Sequence, residues 1–87
     1  MMFTPRWKER AFEQMSRILA AAPERKARFA STLKTINSML RADPLSVGES
    51  RDGADRVWFV DDLVITYTVD EATKIVRVGT VRLSLRR

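Results

Sequence analysis

The residues of this sequence best suited to chemistry are arginines: Arg51, Arg56, Arg77, Arg82 and Arg86, with Trp58 among them. A guanidinium group is a permanent cation that grips phosphate, and an indole offers a face for an unstacked base, so the set suits a nucleic-acid strand. Proton transfer is another matter. Arginine stays protonated at neutral pH, so these groups bind phosphate and at most stabilise charge developing on a phosphorane. The sequence contains no histidine and no cysteine, which removes the commonest general base, the thiol nucleophile and the thiolate metal site. Asp61-Asp62 and Asp70-Glu71 are adjacent acid pairs, but both fall in predicted hairpin turns with nothing to complete a ligand set, and they read as turn residues. No metal and no cofactor is expected. Tyr67 alternates with Leu63, Ile65 and Val69, which makes it a core ring with its hydroxyl at an edge rather than a catalytic phenol.

The charge balance supports a polyanionic partner. The net charge is +5 and the sequence pI about 10.4, enough to favour polyanions through counterion release. Residues 1–44 hold nine Lys/Arg against four Asp/Glu, whereas 45–87 hold seven of each. No acid follows Glu71, so Lys74, Arg77, Arg82, Arg86 and Arg87 end the sequence as a basic patch. With 87 residues, 45% hydrophobic and 31% charged, the chain is expected to form one domain, 1–87, around one core. No apolar run approaches a membrane span and the N-terminus lacks the pattern of a secretory signal, so a cytoplasmic protein with no membrane contact is expected.

The elements that must position these residues follow from period. Thr4-Pro5 reads as a helix start, and Trp7, Ala11, Met15, Ile18 and Ala22 carry a three-and-four spacing that Phe12 and Leu19 widen, which predicts a first helix over 5–21. Pro23 opens a second, with Phe29, Leu33, Ile36 and Leu40 as its stripe until Asp43-Pro44. So short a connection predicts an antiparallel helical hairpin. Beyond Pro44 the period becomes two. Strands are predicted at 46–51, 56–60, 63–69 and 75–83, with turns at Asp52-Gly53, Asp61-Asp62 and 70–74. The fold class is therefore α+β, a helical hairpin packed on a three- to four-stranded antiparallel sheet.

In the last strand Val76 and Val78 alternate in one phase, and Val81, Leu83 and Leu85 in the other. A β-bulge at Gly79-Thr80 would turn both sets toward the core and leave Arg77, Arg82 and Arg86 outward. If Val57 and Phe59 also face inward, Arg56 and Trp58 join that outward cluster. Should Gly79 be regular strand, Arg77 and Arg82 fall on opposite faces.

Several strings resemble the RelE/ParE superfamily of small toxins: Met2-Phe3-Thr4-Pro5 is similar to its short first strand running into helix one, and Leu40 to Pro44 to its helix-two exit. Tyr67-Thr68-Val69-Asp70 and Val76-Arg77-Val78-Gly79-Thr80-Val81 resemble its two central strands. The resemblance implies a toxin-like component of a type II toxin-antitoxin system, with an antitoxin protein as partner and the ribosome with its mRNA, or DNA gyrase, as target. Any enzyme activity it implies is that of an endoribonuclease acting on mRNA, with basic residues on the open sheet face and a tyrosine near the C-terminus. This sequence departs from that pattern. Val64 stands where nuclease members often carry arginine, Leu83 and Ser84 stand where a histidine or lysine and then an arginine are expected, and no tyrosine follows Tyr67. Arg51, Arg56, Arg82 and Arg86 are the substitutes at hand. Two other readings stand beside this one: a non-toxic binding module of the same fold, homodimeric through Trp58, and an unrelated basic nucleic-acid-binding domain.

Overall fold

A computed structural model describes residues 2–84; Arg86, and with it the end of the basic tail, lies outside the described residues. The elements are β1 (Thr4–Trp7), α1 (Glu9–Ala21), a 3-10 turn (Pro23–Arg25), α2 (Lys26–Ala42), β2 (Glu49–Ser50), β3 (Asp55–Val60), β4 (Leu63–Asp70) and β5 (Ile75–Leu83). The architecture is α+β, as expected, with the helices on one face of a sheet ordered β1-β5-β4-β3-β2. The sheet is larger than expected and mixed, because β1 joins its far edge parallel to β5.

That strand replaces the first turn predicted for α1. Thr4 N donates to Lys74 O and Lys8 N to Val78 O, while Phe3 N donates to Arg41 O at the end of α2. Pro5 fits because an edge strand pairs on one side only, so its missing N–H leaves no ladder bond unmade. Phe3, Pro5 and Trp7 turn partly inward while Thr4 and Arg6 stay exposed; period two ends and period 3.6 begins at the same tryptophan. The helix then starts at Glu9 without a side-chain cap.

The core joins Ala11 and Met15 of α1 and Phe29, Ile36 and Leu40 of α2 to Leu63, Ile65 and Tyr67 of β4 and Val76, Val78 and Val81 of β5. All three β5 valines face the core because the strand slips: Tyr67 pairs with Val78 but Thr66 with Thr80, which leaves Gly79 unpartnered. The expected bulge is thus present. Gly79 is not left-handed, and a Cβ there would meet Thr66 Oγ1 at 3.7 Å, an ordinary contact. Where β1 has ended, Gln14 Oε1 accepts the Val81 N–H at 2.8 Å, so α1 supplies the bond a neighbouring strand would have made.

The segment between α2 and β3 is fastened from beneath. Tyr67 Oη lies 2.8 Å from Pro44 O and 2.7 Å from Val47 O and shares its one proton between them. The Arg56 guanidinium reaches Leu45 O at 3.0 Å and Val47 O at 3.2 Å, and its Nε lies 3.4 Å from the phenol oxygen. Gly48 crosses this cluster at φ 71°, and a Cβ there would stand 2.9 Å from both Tyr67 Oη and Val57 O. A side chain is excluded by conformation and by space.

Two glycines therefore predict opposite outcomes. Gly79→Ala should leave stability within about 0.5 kcal/mol of the parent, and Gly48→Ala should cost about 2 kcal/mol or more, both read by urea unfolding. Burial holds the Tyr67 phenol above its ordinary pKa, against the opposing bond and charge of Arg56. A raised pKa gives stability that is complete below the unfolded phenol value of about 10 and is lost as pH rises through the folded one. Tyr67→Phe should abolish that alkaline loss and cost about 1–2 kcal/mol at neutral pH, since the Pro44 and Val47 carbonyls lose their donor.

Candidate nucleic-acid interface

The sheet face away from the helices is ordered in rows by the strand register. One row runs Arg6, Arg77, Thr68, Asp55 across β1, β5, β4 and β3; a second runs Thr80, Thr66, Val57; a third runs Arg82, Val64, Phe59. Arg6, Arg77 and Arg82 are all exposed. Without the bulge, Arg77 and Arg82 would fall on opposite faces, since they are five residues apart in the sequence. Their β4 partners, Thr68 and Val64, put them about 13 Å apart at about 3.3 Å per residue. Thr66 and Thr80 share a hydroxyl hydrogen bond midway. Phe59 is 43% exposed at the end of the third row, and Val64 between Phe59 and Arg82 is 4% exposed.

Arg56 and Trp58 do not join this face. Arg56 pairs with Tyr67 and Trp58 with Ile65, so both turn toward the helices. Their cause is the register: β3 has substantial side chains on both faces, and pairing with the buried positions of β4 selects Arg56, Trp58 and Val60 as the inner set. Trp58 packs against the core, and the Arg56 guanidinium is occupied by backbone carbonyls. Arg51 lies exposed just after β2, at the opposite edge of the sheet. Three strand spacings, about 14 Å, separate that edge from β5. The residues the sequence reading missed are Arg6 and Phe59. Arg6 falls within the helix that the spacing predicts over 5–21, and Phe59 lies on the β3 face that the sequence leaves open to either side.

The acid pairs take structural roles. Asp62 Oδ2 receives Arg25 and, at 3.2 Å, Arg28, while Asp61 Oδ2 accepts the Thr32 hydroxyl at 2.9 Å, so the β3–β4 turn is pinned to the start of α2. Asp61 takes φ 53°, a turn conformation that aspartate tolerates. The Asp70 carboxyl is held below the ordinary carboxylate range, chiefly by the Thr73 backbone N–H, with Ala72 N–H also donating. Among the described residues no cluster of three or more His, Cys, Asp or Glu is placed to hold a metal ion. On the open face the cations are arginines and the row neighbours include Thr66, Thr68 and Thr80, with the carboxylates of Glu49, Asp55 and Asp70 along its edges, an arrangement that can bind phosphate.

This chain has the fold of a chain in the RelBE2 toxin-antitoxin complex from Mycobacterium tuberculosis. The TM-score is 0.66 at 20% identity, and the match covers 95% of this chain and 99% of that one. The likeness to the RelE/ParE fold noted in the sequence is thus met in three dimensions. No protein-family model matches the sequence, and no curated protein matches it either. Among the described residues no helix is long and apolar enough to cross a membrane.

Its contacts with the Leu45, Val47 and Gly48 carbonyls make half-buried Arg56 a structural cation. Arg56→Ala should lower the unfolding free energy by about 2 kcal/mol, as measured by urea unfolding.

Proposed function

We infer that this protein is a toxin-like component of a type II toxin-antitoxin system, a single cytoplasmic domain that binds RNA on its open sheet face without cutting it and is held in check by an antitoxin protein. The observation that carries this reading is the alignment of Arg6, Arg77 and Arg82 on one exposed face of a RelE-like sheet. Three guanidinium groups around a hydroxyl-bearing strip suit a phosphate backbone. Strand scission is not part of the reading. A nuclease of this kind needs a group to take a proton from the attacking 2′-hydroxyl and another to give one to the leaving oxygen; a carboxylate of the face could take the first, but arginine gives none at neutral pH and no His, Lys or Tyr stands in the three rows to do so. Messenger RNA on the ribosome is the favoured target over DNA gyrase, because the basic residues lie on the sheet face where nuclease members of the superfamily carry theirs.

The second reading is a binding module of the same fold with no toxic action. It is favoured by Val64, which stands in the third row between Phe59 and Arg82 where a further cation would have completed the site.

Induced expression in a bacterial host lacking any cognate antitoxin should arrest growth and protein synthesis while messenger RNA stays intact. Normal growth would leave the binding module standing. For the purified protein and a single-stranded RNA, Arg77→Ala and Arg82→Ala should each weaken binding and reduce the slope of log affinity against log salt by about 1. Unchanged slopes in both variants would remove the open face as the RNA site.

A further inference from the structure

On the opposite side of the molecule from the arginine rows, α1 and α2 leave an apolar groove open. Its cavity is about 340 Å³, lined by Trp7, Phe12, Met15, Leu19, Leu33 and Asn37. Phe12, expected to widen the buried stripe of α1, is instead 66% exposed at its mouth, and an aromatic ring beside an apolar cavity marks an interaction surface. Trp7 Nε1 donates to Asn37 Oδ1 at 2.9 Å and so fixes the floor.

The two banks differ in charge. At about 100° per residue, Glu9 and Glu13 follow Phe12 and Ser16 around α1, and Arg41 and Lys34 follow Leu33 and Asn37 around α2 by the same angles. All four charged residues are exposed, and among the described residues none of them forms an ion pair. Because the helices run antiparallel from the Pro23–Arg25 turn, Glu9 stands level with the last turn of α2 and Glu13 with its middle.

We propose that the groove is the interface of a homodimer, in which two copies bury their helical hairpins against each other as an antiparallel four-helix arrangement. A twofold axis parallel to the helices lays α1 of each copy over α2 of the other. That operation keeps each residue at its own level, so Glu9 meets the partner copy's basic end of α2 and Glu13 meets its middle, and Phe12 turns toward the other groove over Leu33 and Asn37. Setting the axis across the helices would invert the levels and lay α2 on α2, where Lys34 at the middle of the helix meets the same lysine of the other copy and α2 carries no acid to offset it, which is disfavoured. A uniformly acidic partner helix would meet the same repulsion along the α1 bank. The charge pattern thus fits a second copy of this chain better than an acidic helix, and it leaves both open sheet faces turned outward.

Sedimentation equilibrium of the full chain tests this. The parent should be a dimer, and Phe12→Glu should be a folded monomer with an unchanged circular dichroism spectrum and an unfolding midpoint that no longer depends on protein concentration, because the ring is exposed in the single copy. Glu13→Lys and Lys34→Glu should each weaken association by roughly tenfold or more, and the two combined should restore it. A parent chain that stays monomeric at millimolar concentration, including one that instead takes a helix of another protein into the groove, overturns the proposal. So does a double variant that associates no better than either single one. RNA affinity per chain should be the same for Phe12→Glu and the parent, so failure of the RNA reading and failure of the dimer are read separately.

Discussion

Gly79 has no partner on β4, and everything on either side of the sheet depends on that unpaired residue. A regular strand would carry Val76 and Val78 into the core and then expose Val81, because side chains alternate with a strict period of two. The slip returns Val81 to the core and places Arg82 beside Arg77 on the open face. It is held from the helix side by Gln14, whose amide oxygen takes the Val81 N–H. β5 is also the strand that β1 joins in parallel, so one distortion lies at the meeting point of β1, β4 and α1. Since a Cβ fits at Gly79, the bulge rests on these neighbours rather than on glycine's conformational freedom.

A second constraint organises the other end of the sheet. Tyr67, Arg56 and Gly48 together draw residues 44–48 across the inner face, with the phenol and the guanidinium satisfying carbonyls that the chain leaves unpaired between α2 and β3. A buried carbonyl without a donor costs about as much as several surface ion pairs contribute. One tyrosine and one arginine are thus withdrawn from any part in chemistry. The arginines of the open face, Arg6, Arg77 and Arg82, are the ones with no such duty.

The two exposed surfaces have different physical characters. The sheet face presents guanidinium groups and hydroxyls, and the helical face presents an apolar groove between banks of opposite sign. Surfaces of the first kind act over the Debye length and weaken with salt, while those of the second depend on fit and level. Because they lie on opposite sides of one thin layer, occupation of one does not obstruct the other.

The sequence by itself determined the elements whose signals are local. Four of the five strands, both helices and the turns at 61–62 and 70–74 follow from period, proline and turn residues that lie within a few positions of one another, whereas the phase slip in β5 allowed a bulge or a regular strand until the pairing with β4 decided it. Tyr67 as a core ring was legible for the same reason, since its neighbours at every second position are apolar. Only the tertiary structure decided the rest. β1 exists because Thr4 to Trp7 finds a partner seventy residues away; local pattern alone reads those residues as the first turn of a helix, and only the likeness of Met2 to Pro5 to a RelE/ParE first strand points to the pairing. Arg56 and Trp58 face inward because β3 could bury either of its faces, and the choice was made by pairing with Tyr67 and Ile65. Period sets which residues share a face; long-range pairing sets which face is buried, and the open-face site depended on that second choice.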